Sequence, residues 1–317
     1  MVGLVVDAVV IGRNEGARLV ACLASLTGQV RRLVYVDSGS TDGSVKAAQA
    51  AGAEVVVLDM EQPFTAARAR NAGLAVLADN PPEFVQLVDG DCAVQPGWIA
   101  AALAGFVAHP AAVVLCGRRR ERFPEASVYN ALADREWDTP VGQALACGGD
   151  ALMRFAAVQA VGGYCGDLIA GEEPELCLRL RRAGGEVWRI AAEMTLHDAA
   201  LLRFGQWWRR MRRAGHAFAE GAALHGAGPD RHWLAETRRA VFWGVVLPVG
   251  CGVLTAVTPI GLLLATAYPL QVLRLARRGG WEWAVFTVIG KFAEARGALG
   301  YYASRLRGQR RGLIEYK

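Results

Sequence analysis

None of the seven cysteines forms a C-x-x-C pair. Cys22, Cys92, Cys116, Cys147, Cys165, Cys177 and Cys251 are odd in number, and most lie among apolar neighbours. That speaks against a disulfide framework and against zinc knuckles, and for reduced thiols in a cytosolic core. The other histidines (His109, His216, His225, His232) have no metal-site spacing with one another or with His197. No internal repeat and no long disordered linker occurs, which removes solenoids and low-complexity arrays. The first apolar run is not followed by a Gly-rich loop with basic residues, which speaks against nucleotidyl transfer. Met1 leads straight into that run, so no secretory leader is expected. Finally, residues 241–273 are 33 positions without one charged side chain.

Charge is unevenly spread. Residues 1–199 hold 17 Lys and Arg against 24 Asp and Glu, a net of −7, whereas residues 200–317 hold 18 against 6, a net of +12. A chain of 317 residues can bury a substantial core in one or two domains. An acidic front suits a site built around a divalent cation. A basic back needs an anionic partner, such as nucleic acid, a phospholipid surface or a lipid diphosphate. The uncharged stretch chooses among these: a nucleic-acid arm is not so apolar, so a membrane surface is expected and nucleic acid is not. Arg238 and Arg239 precede the stretch, and Arg274, Arg277 and Arg278 follow it, as if both ends stay on the cytoplasmic side. One straight helix would measure roughly 50 Å, too long for an untilted span, and Pro248, Pro259 and Pro269 would interrupt it. Two short helices, residues 241–257 and 260–273, are expected to form a re-entrant or shallow hairpin; the alternative is a buried hairpin of a soluble core. Trp281-Glu282-Trp283-Ala284-Val285-Phe286, with Lys291, Arg296, Arg305, Arg307, Arg310 and Arg311 behind it, reads either as an interfacial helix or as a helix packed on the preceding domain.

Chemistry concentrates in the front half. Asp89-Gly90-Asp91 stands directly behind the strand-like run Phe84-Val85-Gln86-Leu87-Val88. Two acids one residue apart at the carboxyl edge of a sheet repel each other unless a cation sits beside them. A hard divalent ion with a diphosphate meets that need. Other runs end similarly. Residues 5–11 lead into Gly12-Arg13-Asn14-Glu15-Gly16. Residues 32–36 lead into Asp37-Ser38-Gly39-Ser40-Thr41-Asp42-Gly43-Ser44, with Thr41, Asp42 or Ser44 as helix cap. Residues 54–58 precede a helix carrying Arg68, Arg70 and Asn71. Strands alternating with helices over the first ninety residues predict a parallel α/β sheet, with its polar loops on one edge.

A second polar set follows. Cys147-Gly148-Gly149-Asp150 precedes Gly171-Glu172-Glu173-Pro174-Glu175-Leu176, in which Pro174 fits a first helical turn. Glu172 and Glu173 then stand at a helix start. There a carboxylate either takes a proton from an attacking hydroxyl or simply favours the macrodipole. His197-Asp198 comes after a strand-like run at residues 186–190. Gln206-Trp207-Trp208-Arg209-Arg210-Met211-Arg212-Arg213 is a basic, aromatic helix whose Trp208, Arg209 and Arg210 are candidates to meet an acceptor or a diphosphate; a solvated or membrane-facing basic face is the alternative.

Taken together, Val10-Ile11-Gly12-Arg13-Asn14-Glu15, the Asp37–Ser44 block, Ala69-Arg70-Asn71-Ala72-Gly73, Asp89-Gly90-Asp91, Gly148-Gly149-Asp150, the Gly171–Leu176 block and His197 resemble a family 2 glycosyltransferase of the GT-A fold. The resemblance covers residues 5 to about 215. It implies that Glu15 and Asp37 contact the base and ribose of a nucleotide sugar. It gives Arg70 to the nucleotide or its diphosphate, Asp89 to the ribose, and Gly149 and Asp150 to the donor-sugar and acceptor pocket. Asp91 would hold Mn²⁺ or Mg²⁺ through the diphosphate, with His197 as a further ligand. The family inverts the anomeric centre in one displacement, with a carboxylate as base. Its usual Glu-Asp pair is Glu172-Glu173 here, so Glu173 takes the base position and Glu172 is the second candidate. The basic helix departs from the Q-x-x-R-W order of processive synthases, which implies addition of a single sugar.

The expected architecture is therefore an α/β GT-A (Rossmann-like) mostly parallel sheet flanked by helices, over residues 1–215. A connecting helix or loop at 216–240 and a helical, apolar, membrane-associated region at 241–317 complete it. The expected activity is metal-dependent, inverting transfer of one sugar from a nucleotide sugar, a UDP-sugar first. The expected acceptor is a membrane-bound, lipid-diphosphate-linked glycan of surface or exopolysaccharide assembly, at the cytoplasmic face of the inner membrane. Transfer to polyprenyl phosphate, or a non-catalytic scaffold binding nucleotide sugar, are the alternatives.

Overall fold

The computed structural model describes residues 5–309. They divide into two units, one of residues 5–126, 133–168 and 172–200, the other of residues 127–132, 169–171 and 201–309. Arg310 and Arg311 of the expected basic tail lie outside the described residues.

The first unit is built on nine strands: β1 (Val6–Gly12), β2 (Leu33–Asp37), β3 (Glu54–Val57), β4 (Phe84–Asp89), β5 (Cys92–Val94), β6 (Ala112–Glu121), β7 (Gly142–Ala144), β8 (Ala151–Arg154) and β9 (Glu186–His197). They pair in the order β3-β2-β1-β4-β8-β6-β9-β5, with β7 also on β9. The four strands from β1 to β4 are mutually parallel, as their apolar runs and intervening helices predict. β2 and β3 lie on one side of β1 and β4 on the other. The order of the sheet thus reverses between β1 and β4, where open α/β sheets form a crevice at their carboxyl ends. Glu15 follows β1, and Asp89 ends β4.

The antiparallel half is less visible in the sequence. β8 pairs antiparallel with β4 and β6, and β5 and β7 pair antiparallel with β9. β5 and β7 are three residues each, too short for a period to show. The run at 186–190 is not a complete strand. β9 continues to His197, which is the strand's last residue and pairs with Cys92 and with Glu121. Its polar interior, Glu193 to Thr195, hides that continuation.

Local chemistry fixes two features that matter later. Thr65 caps the helix Ala66–Leu77 by accepting from the Arg68 amide at 3.0 Å. A Cβ on Gly73 would collide with Val9 of β1, so this helix lies directly on the sheet because Gly73 has no side chain. The helix Ser44–Ala50 follows Gly43, and Asp42 accepts from the Ser44 amide at 3.1 Å and from its hydroxyl at 2.6 Å.

The second unit is helical. Phe204–His225 opens with Gln206, whose side-chain oxygen accepts from the amides of Leu202 and Arg203 at 3.0 Å each. The boundary expected at residue 215 falls inside this helix. Tyr129, Phe204, Trp207 and Phe286 form an aromatic cluster, with Trp207 and Phe286 edge-on at 5.1 Å. Phe204–His225 meets Trp281–Leu306 at two glycines: a Cβ on Gly215 would strike the Glu294 carbonyl, and one on Gly297 the Arg212 carbonyl. Backbone-to-backbone approach of this kind is how small residues bind helices where a greasy interface gains little.

The uncharged stretch folds back on itself, with bounds that differ from those expected. Its first limb starts upstream, at Leu234, and runs 24 residues to Val257. It passes Pro248 without breaking, because the wider turn Phe242–Val246 just before it accommodates the missing amide. Thr258 and Pro259 make the turn. The second limb is Gly261–Ala265 followed by Ala267–Gly279, with Pro269 in a first turn where it costs no hydrogen bond. Gly261 sits so tightly on Thr255 that a side chain there would clash with its backbone. Phe242, Val246, Val249, Val253, Val257, Ile260, Leu262 and Leu263 are exposed. Among the described residues Leu234–Val257 is the one helix long and apolar enough to cross a membrane.

Candidate active site

The site begins with two loops that tie the ends of β1 and β2 together. Asn14, in the left-handed region at φ 55°, accepts from the Thr41 amide at 2.7 Å, and its own amide donates to the Ser40 hydroxyl at 2.9 Å. Asp37 is buried, and its carboxylate serves its own loop. It accepts from the Gly39 and Ser40 amides at 3.0 and 2.9 Å and from the Tyr35 hydroxyl at 2.9 Å. Glu15 pairs with Arg18 at 2.7 Å and leans over Gly12 and Gly90, where added Cβ atoms would come within 3.3 and 3.4 Å of its Cγ.

Arg70 is the hub. It is only 2% exposed, and its guanidinium donates to Asp89 at 2.8 Å, to Glu172 at 2.9 Å and to Glu173 at 2.9 Å. Its neighbours in Ala69-Arg70-Asn71-Ala72-Gly73 divide the labour. Gly73 lets the helix touch β1, and Asn71 both donates to the Tyr164 carbonyl and accepts from its amide, each at 2.8 Å. Asn71 thereby clamps the Gly162-Gly163 turn. A Cβ on Gly149 would lie 2.5 Å from Oδ2 of Asp89 and 2.9 Å from Nη2 of Arg70, so only glycine permits this closure. Asp150, fully buried, accepts from the Asp89 amide at 3.1 Å and from the Thr195 hydroxyl at 2.7 Å.

Glu173 stands apart from Glu172. Its side chain is 14% exposed against 4% for Glu172. Burial, reinforced by Glu172 and opposed by Arg70, pushes its carboxyl up to about 7. A carboxylate with that affinity takes and releases a proton near neutrality.

Asp91 and His197 form a neighbouring pair, both buried, with Oδ2 and Nε2 3.1 Å apart. Burial above all, and then the charge of Arg119, holds the imidazole down to about 3, which keeps it neutral. A carboxylate oxygen and a neutral imidazole suit Mn²⁺ well, and Mg²⁺ through the oxygen. Cys92 lies in the same cluster, within 4.8 Å of Asp91 and His197. Burial pushes its thiol well up, so it stays protonated and is no partner for a hard cation.

Residues 7–158 match the model of glycosyl transferase family 2. This region, a little under half of the chain, belongs to glycosyl transferase family 2. The chain is 26% identical to a pre-mycofactocin glycosyltransferase of Mycobacterium tuberculosis, over 86% of the chain and 61% of that relative, so it spans about three fifths of the curated relative's length. Among solved structures, a mannosyltransferase of Pyrobaculum calidifontis in complex with GDP-Man and Mn²⁺ is similar at a TM-score of 0.63 and 21% identity, covering 93% of this chain and 86% of that one. TarS of S. aureus in complex with UDP-GlcNAc is similar at 0.53 and 15%, covering 96% and 92%. These likenesses establish the GT-A fold.

The fold thus brings together Arg70, Asp89, Gly149, Asp150, Glu172 and Glu173, with Asp91 and His197 beside them. Trp208, Arg209 and Arg210 lie on Phe204–His225 in the other unit, and none of the pairs described above includes them. One cation escaped the sequence reading. Arg119 of β6 reaches Asp89 at 3.4 Å, Asp150 at 3.5 Å and the Cys92 sulfur at 3.4 Å. Its signal is present as Arg118-Arg119-Arg120-Glu121 directly behind an apolar run. Alternation along a strand sends Arg119 and Glu121 to one face.

Proposed function

We propose that this chain transfers one sugar, with inversion, from a nucleotide sugar to a hydroxyl of a membrane-bound, lipid-diphosphate-linked glycan, at the cytoplasmic face of the inner membrane and in surface or exopolysaccharide synthesis. A UDP-sugar is the first donor to try, with a GDP-sugar next. UDP-GlcNAc and GDP-Man are the donors bound by the two similar solved proteins. The observation that carries the reading is Glu173, held at about 7 on a helix start anchored by Arg70.

In this mechanism Arg70 orients three carboxylates at once, while burial beside Glu172 keeps Glu173 ionisable rather than permanently charged. Glu173 then takes the acceptor proton as the hydroxyl attacks the anomeric carbon, while the deeper Glu172 stays paired. Gly149 lets the chain close on Asp89 and Arg70, and Asp150 fixes the backbone of Asp89. Asp91 and His197 would hold a divalent cation, which would supply charge neutralisation for the diphosphate leaving group. The exposed apolar limbs at residues 242–263 and the arginines flanking them support delivery to a lipid-borne acceptor.

The test is transfer of radiolabelled sugar by the purified full chain with Mn²⁺, vesicles carrying lipid-diphosphate glycans, and a panel of nucleotide sugars. Label entering the lipid fraction is expected; no hydrolysis or transfer from any common nucleotide sugar overturns the reading. The curated relative, named for pre-mycofactocin, gives a second acceptor to include. Label on that acceptor without vesicles would move the function away from membranes.

A further inference from the structure

A histidine that ligates a metal is usually aimed by a hydrogen bond on its other ring nitrogen. His197 lacks one. Its Nδ1 is 3.9 Å from Glu121 and has no hydrogen-bond partner among the described residues. What does touch the ring is Trp137. The indole meets the imidazole edge-on, with centroids 4.7 Å apart and planes at 73°. The same indole lies under the Arg119 guanidinium, 4.9 Å from its centroid. One aromatic ring therefore contacts both the imidazole and the cation that bridges Asp89 and Asp150.

Trp137 is held where it is. It follows the helix Val128–Glu136, and its amide donates to the Ala133 carbonyl at 3.1 Å. Three residues before it, Asp134 accepts from the Glu121 amide at 2.8 Å and from the Arg118 guanidinium at 2.9 Å. One residue after it, Asp138 pairs with Arg118 at 3.4 Å. Arg118 and Glu121 flank Arg119 on β6, so the strand that carries the cation also anchors the indole on both sides. A tryptophan that merely filled space would not need this.

We infer that Trp137 is a positioning residue that aims His197 at the cation beside Asp91 and holds Arg119 against Asp89 and Asp150. It acts by edge-to-face packing on the imidazole and by cation–π contact with the guanidinium. The inference deepens the proposed function, since it rests on a divalent cation at Asp91 and His197.

The experiment titrates Mn²⁺ alone into the full chain and follows free Mn²⁺ by electron paramagnetic resonance, with no donor present. Trp137→Leu is expected to weaken Mn²⁺ binding about 10-fold or more, the range seen when the support of a ligating histidine is removed. Trp137→Phe keeps a ring edge and is expected to stay within about threefold of wild type. Trp137→Leu combined with His197→Ala is expected to bind no worse than His197→Ala alone, because towards Mn²⁺ the tryptophan acts through the imidazole, its hold on Arg119 serving Asp89 and Asp150. A readout on protein that keeps its fold is the histidine ring proton resonance of His197: the ring current of the indole should displace it, and Trp137→Phe should move it. Wild-type affinity in Trp137→Leu, additive losses in the double variant, or an unshifted resonance each overturns the inference while leaving sugar transfer standing. A wild-type chain that binds no Mn²⁺ but transfers sugar overturns the inference and the metal site together. A chain that binds Mn²⁺ with the expected variant pattern but turns over no donor overturns the proposed function alone.

Discussion

The sheet unit keeps its charges inside, and the helical unit keeps its greasiest side chains outside. Arg70, Asp150, Glu172, Asp91 and His197 are all buried in the first, each against a partner of the site. Val253, Val257, Ile260 and Leu263 are all more than half exposed in the second. Burying an ion costs several kcal/mol before any pairing, on the order of what a whole small domain has to spare. Exposing a band of apolar residues is equally unusual for a chain surrounded by water. On the proposed function each departure has its complement: a charged ligand in the first unit and a nonpolar phase in the second.

Four experiments bear on that contrast. Glu173→Gln removes the ionisable oxygen while keeping the shape, and transfer to a hydroxyl should fall by about 10²–10⁴ in kcat. Near-normal turnover would point to an acceptor that is already an anion, such as polyprenyl phosphate. Gly297→Ala drives a methyl group into the Arg212 carbonyl. It should cost about 1–3 kcal/mol of stability, read as a lower midpoint in chemical denaturation, whereas Gly250→Ala, with nothing near it, should cost nothing. Val253→Asp with Leu263→Asp should move the protein off anionic vesicles by about tenfold or more in partition, while donor hydrolysis in solution stays intact. If vesicle binding is unaffected, the exposed limbs serve another surface. The fourth is the pH profile of wild-type kcat/KM.

The parallel half of the sheet was legible because β1, β2 and β4 are buried on both faces and read as largely apolar runs, β2 and β4 ending in acids. The hub role of Arg70 was not. The sequence shows an arginine in a helix, but only the fold brings Asp89, 19 residues on, and Glu172, 102 residues on, to one guanidinium. Nor does the sequence show that Asp37, which the resemblance gives to the nucleotide, also accepts from two amides and a tyrosine hydroxyl of its own segment. Arg119 and Trp137 went unread for different reasons. The arginine sits in a charge run, which usually means a solvated face, and the tryptophan stands alone between a helix end and a loop. The apolar hairpin was legible in outline, while its first limb extends back to Leu234 because Glu236 and Arg239, paired at 2.8 Å, continue the helix beyond the apolar run.

The central claim is that Glu173 is a base held near neutrality by its surroundings, and the pH dependence of wild-type kcat/KM tests it most directly. A raised carboxyl must lose its proton before it can accept one, so activity should be low at pH 6 and rise with pH. With a value of about 7, the ionised fraction grows about tenfold between pH 6 and pH 8, and kcat/KM should rise by the same factor and then level off. A profile flat from pH 5 to pH 8, in an enzyme that transfers to a hydroxyl, would contradict the account.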